Sequence, residues 1–281
     1  MNQRENFARR FARSKSGMLG LIGVAIIVLA GLAAPLLARS PAGYSRDILL
    51  GPSAAHLLGT DNLGLDIGLE ILWGARTSLY VSAVAVLISV GIGVPLGLVS
   101  GYSRSWVGET LDAAVDIFLT LPILPLMIIM AAIMGTSITN VALVIGLFSW
   151  PQLAKVCKNA TLKISGMQYI EAAVCLGYSR GRILLHHVLR NITGPVLVNI
   201  TLIMANSVLA ESSLSFLGLG DPTAWSWGTI LKRAWGNNAV INNPNPWWWW
   251  LAPSVCIIVF VVCFNMLGTA INDLLSPKTQ A

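Results

Sequence analysis

The chain has 281 residues, of which 55% are hydrophobic and only 11% charged, with a formal net charge of +6. A soluble globular domain carries about 25% charged residues, so a soluble fold of this length, which would still need charge on its surface, is excluded. The charges are bunched and leave long uncharged stretches, the pattern of a chain whose outer surface faces lipid. The basic residues sit between those stretches, so their excess is not read as a nucleic-acid footprint.

A spanning helix needs about 20 mostly apolar residues. The N-terminus is basic and then apolar, as in a signal peptide. Its apolar run is too long for one and no clean small-residue cleavage site follows, so it reads as a retained first span, Gly17 to Ala38. The second span runs from Thr77 to Gly101. The third and fourth share the uncharged stretch Ile117 to Ala154, broken by the turn formers Gly135 to Asn140. The fifth covers Asn191 to Leu209 and the sixth Trp247 to Leu267. A short amphipathic segment is expected between the first and second spans.

Six spans put both termini on one side. That side carries thirteen Lys and Arg residues: Arg4, Arg9, Arg10, Arg13 and Lys15 in the N-terminal tail, Arg104, six between spans four and five, and Lys278. The other side carries five: Arg39, Arg46, Arg76, Lys232 and Arg233. The positive-inside rule then places both termini in the cytoplasm. Trp247 to Trp250 sit at the outer end of the sixth span and read as an interfacial aromatic belt. Gly93, Gly97 and Gly101 recur every four residues on one helical face, which permits close helix approach. Pro95, Pro122, Pro125, Pro151 and Pro253 fall within spans and bend them. Cys157, Cys175, Cys256 and Cys263 lack zinc-like spacing and read as packing residues.

The loop between spans four and five is the most informative stretch. Glu171-Ala172-Ala173 is strong helix-forming material, and Gly177 can end that helix in a left-handed conformation. A second apolar-periodic helix, with His186 and His187, leads into the fifth span. A short helix, a sharp turn and a second helix suit docking into a groove on another protein. The two histidines point about 100° apart and do not share a metal.

Glu171-Ala172-Ala173 followed by Gly177, with His187-Val188-Leu189 beyond, resembles the EAA loop of ATP-binding-cassette (ABC) importer permeases. Leu58-Gly59-Thr60-Asp61-Asn62-Leu63-Gly64-Leu65-Asp66, Ser213 to Gly220, Trp227-Gly228 and Phe264 to Gly268 with Asp273 are similar to motifs of the dipeptide, oligopeptide and nickel permeases of the C-subunit type. Leu65 replaces a usual arginine and Arg190 a usual proline. The resemblance implies an all-α integral membrane protein with six transmembrane helices of the type I ABC importer permease fold. Its expected organisation is a cytoplasmic tail at 1–16, a first helix at 17–38, an extracytoplasmic segment at 39–76, a permease core at 77–272 with a coupling loop at 158–190, and a cytoplasmic tail at 273–281.

The resemblance also implies partners: a second, B-type permease sharing the translocation path, two cytoplasmic ATPase subunits, an extracytoplasmic substrate-binding protein and the bacterial inner membrane, but no nucleic acid. Glu171, Ala172, Ala173 and Gly177 are the expected coupling residues. The chain binds no cofactor, and ATP and Mg belong to the ATPase partners. Peptides are the expected cargo, with nickel or a metal chelate as the alternative. The sequence has no GxxxxGK[ST] phosphate cradle, no metal-ligand cluster and no Gly-x-Ser-x-Gly, so it is not expected to be an enzyme.

Glu211, near the outer end of the fifth span, either lines the pathway or its outer gate or pairs with a nearby Arg or Lys. Asp61 and Asp66 either meet a binding protein or order the external loop by capping. Asp112 and Asp116 share a helical face, as a proton or metal relay or as a helix-end pair facing water or Arg104. A secondary transporter would show mid-depth charges and inverted repeats, and an intramembrane enzyme a nucleophile–base or metal constellation. The sequence shows none of these.

Overall fold

The computed structural model describes residues 9–37, 41, 45–103, 105–237 and 246–275. Arg4, Arg39, Arg104 and Lys278, all used above for orientation, lie outside them. The described residues are helical apart from turns and one isolated antiparallel bridge between Thr60 and Asp66. The helices are α1 (Lys15–Leu37), α2 (Ile67–Tyr102), α3 (Trp106–Thr120), α4 (Ile123–Met134), α5 (Ile138–Ser165), α6 (Gln168–Cys175), α7 (Leu189–Phe216), α8 (Trp227–Gly236) and α9 (Trp247–Leu275). A turn at Arg180–Arg182 and a π-helical segment, Ile183–Val188, run into α7 without a break.

Helix ends fall where polar groups or proline dictate. Asp66 caps α2, its Oδ1 accepting the N–H groups of Gly68 at 2.8 Å and Leu69 at 3.2 Å. The helix therefore starts at Ile67, well before the uncharged run at Thr77. Pro122 forces Leu121 into an extended conformation, and α3 and α4 meet there at a bend of 87°. Among the described residues, five helices are long and apolar enough to cross a membrane, and counting the bent pair as one span makes six. Arg190 keeps the N–H that proline would lack, and the helix passes through it intact.

Among the described residues between the first two long helices, the expected short amphipathic segment is not a separate helix. Residues 45–66, rich in Gly, Pro and Asx, form turns there. The short amphipathic helix is instead α8, after the fifth span, started by a capping box between Ser226 and Thr229. One face of α8 is buried through Trp227, Ile230 and Ala234. The Trp227 ring packs edge-on against Phe260, with centroids 5.9 Å apart, and its Nε1 donates to Ile71 O at 3.2 Å.

The glycine stripe makes the tightest seam. A methyl on Gly97 would come within 2.5 Å of both Ala154 O and Cys157 Cβ, and one on Gly101 within 2.6 Å of Lys158 O. On Gly93 it would meet Trp150 O at 2.8 Å. The α2 backbone thus lies directly on α5, where any side chain would push the two apart. The outer surface is apolar: Leu19, Ile22, Ile26, Leu29, Leu32 and Leu36 form an exposed stripe on α1.

The four tryptophans do not form a belt. Four consecutive helical residues spread around the axis, and Trp248 and Trp249 point into the core while Trp247 stays half-exposed. Among the cysteines, Cys157 and Cys263 are buried, but Cys175 is exposed and is not a packing residue.

Gly97→Val should lower the thermal midpoint of the detergent-purified protein by an amount equivalent to about 1–3 kcal/mol of overpacking. Gly91→Ala, whose added methyl meets nothing within 4 Å, should leave it unchanged. Equal effects of the two substitutions would refute the seam.

Candidate functional site

At one end of the bundle, α6 projects beyond α5. Ile170 and Ala173, three apart and therefore on one helical face, are buried against a cluster that includes Leu98, Leu153, Ile183 and Val188. Glu171 and Ala172 are exposed. Tyr178 N donates to Ala173 O at 3.1 Å and Gly177 N to Val174 O at 3.0 Å, the paired bonds of a Schellman stop. Gly177 has φ +78° and open space where a Cβ would stand. Only its left-handed backbone, not crowding, demands glycine.

The turn after Gly177 is held by stacking. The Tyr178 ring lies against His187, with centroids 6.0 Å apart, and the Arg182 guanidinium sits 4.6 Å over the same ring. Asn191 Nδ2 donates to His187 O at 2.7 Å and to Tyr169 Oη at 3.2 Å, tying α6 to the start of α7. His187 is thus a packing residue here. Around this fixed tip Val174, Leu176 and Leu185 are exposed, and a cavity of about 880 Å³ opens beside it, lined by Tyr102, Ser105, Glu171, Cys175, Arg180 and Leu184 among others.

Close to this end, Lys155 Nζ reaches Asp112 at 3.0 Å and Asp116 at 2.6 Å, and Lys158 also pairs with Asp112. The two acids of α3 therefore clamp onto α5 and do not form a carboxylate relay. Sequence spacing placed the acids on one face, but only the helix pairing brought the lysines to them.

The opposite end is built around residues 45–66. Asp61 is fully buried, and its Oδ1 accepts the N–H groups of Leu63 and Leu65, each at 2.8 Å. Leu65 contributes through its backbone, so the replaced arginine side chain is not needed for this turn. Asp66, besides capping α2, accepts from His56 Nδ1 at 2.8 Å. That hydrogen bond holds the His56 imidazole above its ordinary 6.5 against the opposing effect of burial, helped by the Asp66 and Asp47 charges. Trp248 Nε1 reaches Thr60 O at 3.4 Å and ties the segment to α9.

Sequence reasoning missed a second fully buried acid at this end. Glu70 is fully buried at the start of α2, and Arg233 Nη1 lies 3.3 Å from its Oε1 and 3.8 Å from Asp61 Oδ2. Two buried acids share one guanidinium, which itself lies 4.1 Å over the Trp225 ring. The available signal was an isolated acid among Leu69, Ile71 and Leu72. Glu211 is buried as well, but its partners are serines: Ser215 Oγ donates to Oε1 at 2.6 Å and Ser212 Oγ to Oε2 at 3.4 Å. No Arg or Lys pairs with it among the described residues. Glu211 lines a small cavity with Thr77, Asp221 and Ser226. Among the described residues, no group of three His, Cys, Asp or Glu is placed to hold a metal ion.

This arrangement of long and broken helices has solved counterparts. An inward-facing structure of the MetNI methionine ABC transporter superposes with a TM-score of 0.60, covering 74% of this chain and 96% of that one at 19% identity. The likeness defines the class: a multi-span membrane protein with the permease fold of type I ABC importers. Residues 93–281 match the family of binding-protein-dependent transport system inner membrane components, and residues 2–52 match the N-terminal TM domain of oligopeptide transport permease C. The chain is 33% identical to the dipeptide transport system permease protein of Alkalihalophilus pseudofirmus, over 99% of this chain and 90% of that protein. It is 34% identical to the glutathione transport system permease protein of Pectobacterium atrosepticum, over 98% and 91%. It is 33% identical to the di/tripeptide permease protein of Pseudomonas aeruginosa, over 98% and 92%. The chain belongs to the family of binding-protein-dependent transport system inner membrane components and is a permease subunit.

Two outcomes test the 45–66 end. Protonated His56 stabilises this segment fully below its unfolded value of 6.5, and the contribution is lost as pH rises through the raised folded value. The gap in thermal midpoint between the native protein and His56→Gln should therefore shrink between about pH 5 and about pH 9; a widening gap would contradict the assignment. Arg233→Ala leaves the buried carboxyls of Glu70 and Asp61 without this cation and should cost on the order of 3–5 kcal/mol. Adding Glu70→Gln should restore part of that stability, and simple additivity of the two losses in denaturation would count against a shared ion pair.

Proposed function

We propose that this permease carries small peptides across the bacterial inner membrane, driven by ATP hydrolysis in two separate cytoplasmic ATPase subunits that bind ATP and Mg. The observation that carries the coupling role is the tip at Gln168–Tyr178. It is a helix anchored by Ile170 and Ala173, ended rigidly at Gly177, and surrounded by exposed Val174, Leu176 and Leu185. An exposed apolar set at the end of a buttressed helix suits seating in a groove of another protein. Glu171, Ala172, Ala173 and Gly177 are the residues we assign to that contact.

Both termini then face the cytoplasm, in keeping with the distribution of basic residues. The 45–66 segment and α8 face outward, towards a substrate-binding protein. Asp61 and Asp66 act on that contact from within, by fixing the loop, since their carboxylates are spent on its own backbone and on His56 and Arg233. Glu211 holds the outer end of α7 to its serines, next to the loop at 218–226, and belongs to the outer gate. A second, B-type permease completes the path. The names of the relatives speak for peptide cargo, and nickel is not favoured.

Replacing Glu171 and Gly177 together (Glu171→Ala, Gly177→Val) in the reconstituted importer should cut ATP-driven peptide uptake at least about tenfold, with membrane insertion intact. The same variant should lose stimulation of ATPase activity by the loaded binding protein. Undiminished uptake would sink the coupling assignment.

A further inference from the structure

The bend between α3 and α4, together with α5 and α7, encloses a cavity of about 320 Å³ whose walls include Leu124, Met127, Phe148, Gln152, Asn206 and Ser213. That volume lies in the range of small-ligand pockets, about 300–1,000 Å³. No Asp, Glu, Lys, Arg or His lines it. Two of its side chains are out of place for a lipid-facing wall. Gln152 and Asn206 are exposed carboxamides on neighbouring helices, and neither makes a hydrogen bond to another described residue.

Their depth sharpens the conflict. At 1.5 Å per residue, Gln152 stands about 21 Å along α5 from Ile138, and Asn206 about 15 Å along α7 from Phe216. Both therefore lie within a hydrocarbon core about 30 Å thick, Asn206 near its middle and Gln152 about one turn before Lys155. An unpaired amide there costs several kcal/mol against lipid, so such a face must meet protein, water or cargo. The other hydroxyls in the cavity have no such need: Ser149 Oγ donates to Ile145 O at 2.7 Å and Ser213 Oγ to Leu209 O at 2.8 Å, each within its own helix.

We infer that Gln152 and Asn206 form a membrane-embedded subsite that binds the peptide backbone of the cargo as it passes. The inference rests on the peptide reading above. A carboxamide offers N–H donors and a carbonyl acceptor, the complement of a peptide group, which offers one of each. The uncharged wall neither selects nor repels charged cargo side chains, and the apolar residues around the amides adapt to their bulk. The cargo's common element is thereby read and its variable element is tolerated.

The test uses the complete importer, with its second permease, ATPases and binding protein, reconstituted in vesicles. Uptake of labelled dialanine and trialanine is compared with uptake of their counterparts N-methylated at the peptide bond. Binding-protein affinities are titrated separately so that its own preference can be divided out. The native importer should carry the unmethylated peptides about tenfold faster after that correction. The near-isosteric variant Gln152→Met/Asn206→Leu should lose this preference and most of its uptake, while still co-purifying with the second permease. Gln152→Asn, which keeps a carboxamide, should restore part of both. Unchanged uptake and preference in the double variant would overturn the subsite. Loss of co-purification would overturn it too, by showing that the two amides serve as a contact between the permeases. If the native importer carries none of the four peptides, the peptide reading itself fails, and the subsite with it.

Discussion

The direct contact between the backbones of α2 and α5 is the constraint on which the rest of the molecule depends. Gly93, Gly97 and Gly101 lie against the carbonyls of Trp150, Ala154 and Lys158, too close for any side chain. In lipid there is little hydrophobic drive between helices, so close packing and polar contacts must hold them together. The seam fixes α5, and α5 in turn sets the positions of two other parts. Lys155 and Lys158 hold the acids of α3, and the far end of α5 carries the short helix with Glu171.

The two ends of the bundle are organised by different physics. At the 45–66 end, carboxylates order the chain from within: Asp61 and Asp66 accept backbone N–H groups, and Arg233 lies beside the buried carboxyls of Glu70 and Asp61. That end is a locked cap of turns over α2, α8 and α9. At the Gly177 end the order is reversed. The backbone is locked by a Schellman stop and by Tyr178 stacking, but apolar side chains remain uncovered. A rigid tip with an uncovered apolar surface suits the coupling contact proposed above, because a rigid loop would lose little of a partner's motion.

Between the ends, several polar side chains at membrane depth find partners within the molecule. Ser82, Ser149, Ser213 and Ser254 return their hydrogens to carbonyls of their own helices, and Glu211 is met by serines. These groups cost little, because each has its partner. Gln152 and Asn206 are different, since they open onto a cavity at the face left free by the chain's own packing. On the proposal that a second permease shares the path, the pathway would run along such a face.

By itself the sequence determined the class of molecule. Uncharged stretches, the glycine repeat and the break at Gly135 located the spans, because hydrocarbon admits only apolar helices. Glu171-Ala172-Ala173 with Gly177 was legible as helix and stop, because both signals are local. What depended on distant residues was not legible. The early start of α2 needed the Asp66 cap, and the inward turn of Trp248 and Trp249 needed the core they join. The pairing of Asp112 and Asp116 with Lys155, and of Glu70 with Arg233, joins residues far apart in the chain. Only the tertiary structure decided these, because whether a buried charge or an amide is satisfied depends on what a different helix brings to it.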